Sequence, residues 1–334
     1  MIKRFSNIEL CRIFSILLVL LVHSAFASNG YPKELNKTTL WLITLESLSI
    51  IGVNVFILIS GYFSIKLKPK TIYTILITVA FYFLLLTGLS FVCVCGKGEH
   101  FQIKNLLFVS NSHYFIIDYL GLALLSPILN KFAENTSKKH FTTVLLALII
   151  YQIYFTFISG ATKTEFDYGY SLMSFSIIYL IARYIKLYDV PDIIKKYSGL
   201  MYIICTLTLI LASVLLIKLE HLGAIGLVYA YNNPVVIASS VFFFLFFEKM
   251  NIRNNKYINH IARSTLGILL FHASTPAHTT VWYFMKTKFM YLADNIDLVN
   301  ALYWIGWTVA IAMIAVVIDQ LRLFIIDRIY RTPK

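Results

Sequence analysis

The first apolar segment of the chain carries two ionisable side chains. In CRIFSILLVLLVH, residues 11–23, ten residues separate Arg12 from His23, and nine of those ten are apolar. Positions eleven apart on an α-helix differ by only about 20° in direction and about 16 Å in height, so both side chains lie on one face of the predicted helix. Arginine binds anions and imidazole exchanges protons near neutral pH, so the pair indicates a functional site within a membrane.

Each member of the pair also has an ordinary structural interpretation. Arg12 would reach the headgroups at the helix end, and His23 would be a hydrogen-bonded histidine inside a bundle. A second histidine, His272, ends the apolar stretch STLGILLFH and falls near the middle of another predicted span. Two buried imidazoles can line one site, which favours function, although they would equally suit a proton relay in a transporter.

The second apolar segment, GVNVFILISGYF (52–63), supplies further polar candidates. Its candidates for contacting a substrate or a developing oxyanion are Asn54, Ser60, Gly61 and Tyr62, followed by the phosphate-binding candidates Lys66, Lys68 and Lys70. The small pair permits close approach of a ligand, and lysines hold phosphates as point charges. Helix packing and the excess of basic residues on the cytoplasmic side of membranes explain the same features without a ligand.

Three acidic residues and four tryptophans complete the set. Glu9, one turn before Arg12, and Asp319 in the last span are the carboxylates that could pair with Arg12. Asp118 could orient an imidazole or form hydrogen bonds at the outer face. The tryptophans, which stand near the ends of predicted spans and are interpreted as interfacial anchors, are Trp41, Trp282, Trp304 and Trp307.

Membrane-spanning helices must position all of these residues. The 334-residue chain is 59% hydrophobic and only 13% charged, too apolar for a soluble domain. A helix needs about 20 apolar residues to cross a bilayer, and backbone groups in lipid must be satisfied within the helix. The predicted spans are 8–27, 40–63, 71–95, 114–131, 141–159, 171–187, 199–217, 234–247, 264–284 and 299–318. The connections are short, so residues 1–334 are predicted to form one all-α transmembrane bundle.

The distribution of charge orients this bundle. Lysine and arginine concentrate at the termini and in the even-numbered loops, which predicts that both termini are cytoplasmic. The formal net charge of +13 then faces anionic headgroups, and no basic module stands outside the membrane, so nucleic-acid binding is not expected. The four cysteines lack metal-ligand spacing, and no metal is expected.

The ordered set of these motifs resembles the acyltransferase family 3 membrane proteins, above all the members that O-acetylate bacterial surface polysaccharides. The set comprises the Arg12-to-His23 spacing, GVNVFILISGYF, HYFIIDYLGLALLSPILNKF (113–132) and STLGILLFH. It extends from the first predicted span to the ninth. Residue by residue, Arg12 and His23 match the family's arginine–histidine signature, with His23 catalytic. Ser60 and Gly61 match its serine–glycine pair, and His272 matches its late-span histidine.

Two departures from the family pattern concern substrate binding. Tyr114 stands where many members have tryptophan. Only Lys66, Lys68 and Lys70 stand near the start of the third span, where many members have an arginine pair. Lysine lacks the bidentate fork with which arginine binds phosphate. The sequence therefore matches the family less well at the donor site than at the histidines.

The resemblance implies acyl transfer across the bacterial cytoplasmic (inner) membrane. Acetyl-CoA, as co-substrate, would donate to a hydroxyl of a surface glycan or its lipid-linked precursor, with His23 as base or acyl carrier. Succinyl or longer donors stay open, as do the acceptor sugar and the oligomeric state. The alternatives are a lipid-linked glycan flippase, a proton-coupled exporter or an assembly subunit of a polysaccharide synthase.

Overall fold

The computed structural model describes residues 5–92, 114–158, 166–273 and 281–329, and this part of the chain is helical with no β-strand. The helices are α1 (Ser6–Ser24), α2 (Phe26–Asn29), α3 (Lys37–Ser49), α4 (Gly52–Tyr62), α5 (Pro69–Val92), α6 (Tyr114–Asn135), α7 (Lys138–Ile153), α8 (Leu172–Tyr188), α9 (Asp192–Lys218), α10 (Ile225–Val228), α11 (Pro234–Glu248), α12 (Lys256–Ile261), α13 (Thr265–Ala273), α14 (Val281–Asp294) and α15 (Leu298–Ile329). A π-helical turn, Tyr154–Ile158, continues α7, and a 3-10 turn, Ala262–Ser264, leads into α13. The predicted all-α class is confirmed.

Seven helical stretches are long and apolar enough to cross a membrane, so the chain is a multi-pass membrane protein. They are Ser6–Asn29, Lys37–Tyr62, Pro69–Leu89, Tyr114–Asn135, Lys138–Ile158, Asp192–Lys218 and Leu298–Arg328. Three predicted spans, 171–187, 234–247 and 264–284, are not among these seven. The count of about ten spans and the cytoplasmic location of both termini stay predictions. Helices α8 and α11 have 17 and 15 residues. Described residues of the predicted ninth span belong to α13 and α14, and its residues 274–280 lie outside the described part. Residues 93–95 of the third predicted span and residue 159 of the fifth also lie outside it.

Helix α1 occupies the centre of the bundle. It packs against α3, α4, α11, α12, α13 and α15. It contains neither glycine nor proline, so its backbone hydrogen bonds run unbroken from Ser6 to Ser24. A continuous central helix can therefore carry Arg12 and His23 at a fixed separation.

The chain breaks its helical path two residues after His23. Ala25 leaves the helical region (φ −84°, ψ −109°), and α2 resumes at Phe26. Ser28 Oγ donates to the carbonyl oxygen of His23 (2.6 Å), and Asn29 Nδ2 donates to the carbonyl oxygens of Ser24 and Ala25. These side chains satisfy carbonyls that the break would leave without partners, so His23 stands at a fixed helix end.

Helix α4 lies between α1 and α8, and glycine permits both contacts. A Cβ atom at Gly52 would lie 2.8 Å from the carbonyl oxygen of Ser15, and one at Gly61 would lie 2.6 Å from that of Tyr179. Only a residue without a side chain allows such close approach of two backbones. The membrane-spanning stretch Lys37–Tyr62, which ends with α4, is thereby fixed in register against α1.

Candidate active site

A cavity of about 790 Å³ lies among α1, α4, α5, α6, α13 and α15. Helix α1 contributes Arg12, Ile16, Val19 and His23, which follow the spacing of one helical face. The prediction that Arg12 and His23 share a face is therefore confirmed. The cavity follows this face for about 16 Å, with the guanidinium at one end and the imidazole at the other.

The imidazole end brings His23 and His272 into direct contact. His23 Nδ1 lies 2.9 Å from His272 Nε2, across 249 residues of sequence. His272 is fully buried, and its Nδ1 lies 2.6 Å from the carbonyl oxygen of Ile268. The structure thus joins two histidines that the sequence indicated separately.

The carbonyl of Ile268 determines which ring nitrogens carry protons. A carbonyl oxygen only accepts, so Nδ1 of His272 must be the donor. In neutral His272, Nε2 is then an acceptor, and Nδ1 of His23 donates to it. Neutral His23 consequently has its basic lone pair on Nε2, the arrangement that a general base requires.

Two tryptophans support this end of the cavity. Trp282 lines the cavity and presents its ring to His23 edge to face, with centroids 5.4 Å apart and planes at 78°. Trp304 is fully buried, and its Nε1 donates to Ser24 Oγ (2.8 Å), next to His23. The interpretation of Trp304 as an interfacial anchor is therefore wrong. Its indole N–H finds a partner inside the bundle, where an unpaired donor would be costly.

The opposite end of the cavity is cationic. Arg12 Nη1 donates to Glu9 Oε2 (2.7 Å), so Glu9 is the carboxylate that pairs with Arg12. Asp319, the other predicted partner, instead accepts from Nε and Nη2 of Arg322, both at 2.6 Å. Arg322 lines the cavity together with Arg263 and Lys70.

Only one of the three lysines predicted to bind phosphate lines the cavity. Lys70, at the start of α5, lines the cavity. Lys66 and Lys68 are exposed on the connection before α5 and are not among the lining residues. The structure therefore separates one predicted donor-site lysine from the other two.

Ser60 lines the cavity but lies toward the Arg12 end. The contact of Gly52 with Ser15 and Val19 sets the level of α4 against α1. Ser60 follows eight residues later, about 12 Å farther along the antiparallel helix. Its Oγ donates to the carbonyl oxygen of Phe56 (2.9 Å) and lies 3.2 Å from Tyr119 Oη. Ser60 thus stands far from the histidines, a position that suits contact with a donor and not with an oxyanion at His23.

The other candidates in α4 lie outside the cavity lining. Asn54 is buried, and its Nδ2 donates to the carbonyl oxygen of Tyr231 (2.8 Å), which fixes the chain before α11. Gly61 packs against α8, and Tyr62 Oη donates to Glu248 Oε1 (3.0 Å). The structure gives each of these three residues a packing or bridging contact within the bundle.

Helix α6 carries two predicted site residues, Tyr114 and Asp118, and only one of them lines the cavity. Tyr114 lines it, and its ring lies 4.7 Å from that of Tyr170 in an edge-to-face arrangement. Asp118 is half-buried and is not a lining residue. A molecule in the cavity would therefore contact Tyr114 and not Asp118.

Among the residues that line this cavity, sequence reasoning gave no site role to Arg263 or Arg322, and it interpreted Trp282 as an interfacial anchor. A signal for Arg322 existed, because Asp319 and Arg322 stand three residues apart in an otherwise apolar stretch, a spacing that pairs charges on one helix. Arg263 and Trp282 reach the cavity through tertiary packing that spacing does not reveal. Among the described residues, no group of three or more His, Cys, Asp or Glu side chains could hold a metal ion.

Comparison with known proteins gives one family assignment. A family model described as an acyltransferase domain matches residues 5–319. No curated protein and no solved structure matches the chain. The matched range contains Arg12, His23 and His272 and ends at Asp319, so Arg322 lies beyond it.

Proposed function

Because the chain belongs to acyltransferase family 3, we propose that it is a membrane O-acyltransferase using acetyl-CoA from the cytoplasm. The acceptor is a hydroxyl of a bacterial surface polysaccharide or of its lipid-linked precursor. The chain resides in the bacterial inner membrane with both termini in the cytoplasm, so the Arg12 end of the cavity faces the donor and the His23 end faces the acceptor.

The observation that carries this proposal is the single cavity between Arg12 and His23. Its cationic end suits the phosphates of a nucleotide donor, and its imidazole end suits activation of a hydroxyl. The separation of about 16 Å along α1 is comparable to the length of a pantetheine arm. A donor bound by its phosphates at one end could therefore present its thioester at the other.

In this mechanism His23 is the general base. Nε2 of His23 takes the proton of the acceptor hydroxyl while the hydroxyl oxygen forms a bond to the thioester carbonyl carbon. The carbon–sulfur bond then breaks, and the proton passes from Nε2 to the departing thiolate, which gives an acetyl ester and free CoA. His272 accepts from Nδ1 of His23 and so keeps the basic lone pair on Nε2.

A covalent route through His23 is distinguishable from this one. In that route Nε2 attacks the thioester itself and the acetyl group rests on the ring before transfer. Brief incubation with labelled acetyl-CoA without acceptor, followed by rapid denaturation on ice at neutral pH, where an acetyl-imidazole survives longer than in acid, would leave label on the protein only in the covalent route. The base mechanism predicts that the quenched protein carries no label.

Replacement of the base tests the proposal. Membrane vesicles containing the wild-type protein should transfer label from acetyl-CoA to polysaccharide, and His23→Ala should lower the rate by about 100-fold or more. The matched control is His140→Ala, since His140 is exposed at the start of α7. Both variants must insert at the wild-type level.

The outcome also separates the enzyme from a transporter. A flippase or exporter would move glycan without any label reaching it, in the wild type as well as in the variants. Transfer at the wild-type rate by His23→Ala would remove the catalytic role of the histidine.

A further inference from the structure

Four cationic residues face the end of the cavity that lies away from the histidines: Arg12, Lys70, Arg263 and Arg322. No aspartate or glutamate is among the described residues that line the cavity. In a space walled largely by aliphatic and aromatic side chains, a charge is screened less than at the protein surface. Glu9, Asp327 and Asp319 each pair with one of the three arginines from outside the lining, but the groups that a ligand would meet at this end are cationic, so this end favours an anion with more than one negative group.

The best-defined of these cations is Arg322. It is only 4% exposed, and Asp319 accepts from its Nε and Nη2 in a bidentate pair. Nη1 donates to Thr78 Oγ1 (3.2 Å), and Nη2 also donates to the carbonyl oxygen of Arg263 (3.2 Å). A guanidinium has five N–H donors, and these four contacts use four of them, so among the described residues one N–H of Nη1 is left over for a further acceptor.

Asp319 is held in turn by its own contacts. It is fully buried, and Tyr82 Oη donates to its Oδ1 (2.9 Å). A Cβ atom at position 267 would overlap both this carboxylate and the tyrosine hydroxyl, so Gly267 provides the space that the pair occupies. The guanidinium of Arg322 is thus fixed in place before any ligand arrives.

Arg263 stands beside this pair on the turn before α13. Its Nη2 donates to Asp327 Oδ1 (2.7 Å), and its side chain is about one-third exposed. Its main-chain carbonyl oxygen accepts a hydrogen bond from Nη2 of Arg322. Two guanidinium groups from distant parts of the chain therefore meet at one wall of the cavity, each supported by a carboxylate that does not line it.

We propose that Arg263 and Arg322 bind phosphate groups of the nucleotide portion of the acyl donor, with Arg12 and Lys70 completing the site. Arginine is suited to this role because its planar fork matches phosphate oxygens. Asp319 and Tyr82 are positioning residues, since they act through Arg322. The inference rests on the proposed function and adds two binding residues, one of which lies beyond the range that the family model matches.

The test compares two donors that differ in phosphate. Acetyl-CoA carries the phosphates, and S-acetylpantetheine carries the same thioester and arm without them. Arg263→Gln and Arg322→Lys should each raise the KM for acetyl-CoA by about tenfold or more, because each loses a charge-assisted or bidentate contact. The rate with S-acetylpantetheine should stay within about twofold of the wild type. Arg253→Gln, an exposed arginine outside the cavity lining, is the matched control.

Three outcomes would overturn the inference. Equal loss with both donors would show that the arginines serve structure, and unchanged KM values would show that they do not contact the donor. Effects seen in vesicles with phosphatidylglycerol but absent in phosphatidylcholine vesicles would assign the site to an anionic lipid headgroup. If Arg322→Lys does not fold, Arg263→Gln, which alters a partly exposed residue, still decides the matter. Failure of the wild type to transfer from either donor would instead refute the proposed function.

Discussion

The two ends of the cavity are held together in different ways. At the cationic end, Arg12 pairs with Glu9 and Arg322 pairs with Asp319, and each pair spans three residues of one helix. At the other end, His23 meets His272 across 249 residues. These two ion pairs are thus set by local helical geometry, whereas the histidine pair exists only when α1 and α13 are correctly packed.

Because of this difference, the two ends depend on the packing of separate helices to different extents. A pair within one helix forms as soon as the helix forms, so Arg12 and Arg322 acquire their carboxylate partners independently of the histidines. The imidazole pair requires two nitrogens of different helices within hydrogen-bond distance, and an error of about 1 Å would break it. We expect substitutions at the two ends to alter different quantities, stability and donor binding at one and turnover at the other.

The largest expected effect is on stability at the cationic end. Asp319→Leu leaves the buried guanidinium of Arg322 without its carboxylate and should destabilise the protein by about 3–5 kcal/mol. The double variant Asp319→Leu/Arg322→Met removes both charges and should recover most of that loss. Thermal unfolding in detergent micelles measures both effects.

The control for this pair is an exposed one. Asp189, which is 75% exposed, pairs with Lys195, and Asp189→Asn should cost less than about 1 kcal/mol. If the double variant unfolded as readily as Asp319→Leu, the buried charge would not be the source of the loss.

The next effect concerns turnover at the imidazole end. His272→Leu removes the acceptor of His23 Nδ1–H and should lower kcat by about 100-fold, with the KM for acetyl-CoA unchanged. His272→Gln offers a carbonyl oxygen as a substitute acceptor and should retain at least about tenfold more activity than His272→Leu. Steady-state assays of the two purified variants make the comparison. Equal activities would contradict the assigned proton positions.

The sequence predicted the cationic end and the imidazole end to different extents. The face shared by Arg12 and His23 followed from helical period alone, and Glu9 was a candidate partner of Arg12 because it stands one turn away. The contact between His23 and His272 could only be suspected, since no local rule relates residues on different helices. Arg263 was missed for the same reason.

The fold was predicted in class but not in detail. Apolar length identified the helices, because backbone groups in lipid must bond within a segment. It could not reveal that α1 breaks at Ala25, since Ala25 carries no glycine or proline signal for a break and is flanked by Val22 and Phe26 within three residues. The fully buried Trp304 was interpreted as an anchor because composition does not show which helix end is covered by neighbours.

A smaller effect on stability should follow from loss of the hydrogen bond between Trp304 and Ser24, next to His23. Ser24→Ala removes the acceptor of the Trp304 indole N–H and should destabilise the protein by about 1–2 kcal/mol, the cost of leaving a buried donor unpaired. Thr208→Ala, which removes an exposed hydroxyl from α9, is the matched control and should change stability by less than about 0.5 kcal/mol. Equal melting temperatures for the two variants would show that the indole contact does not support this end.

The smallest expected effect is on donor binding at Arg12. Glu9→Gln keeps an oxygen that can accept from Nη1 of Arg12 but removes the negative charge beside it. The cationic end then becomes more positive, and at a distance of several ångströms in a medium of intermediate dielectric this should lower the KM for acetyl-CoA by about two- to fivefold. The loss of stability should be smaller than in Asp319→Leu, because glutamine keeps the hydrogen bond and the Arg12 side chain is 29% exposed. Glu34→Gln removes an equal charge from an exposed loop beyond the His23 end and should leave the KM as it is. A raised KM in Glu9→Gln would mean that Glu9 orients Arg12 for the donor, and the cationic end would then depend on geometry as strictly as the imidazole end does.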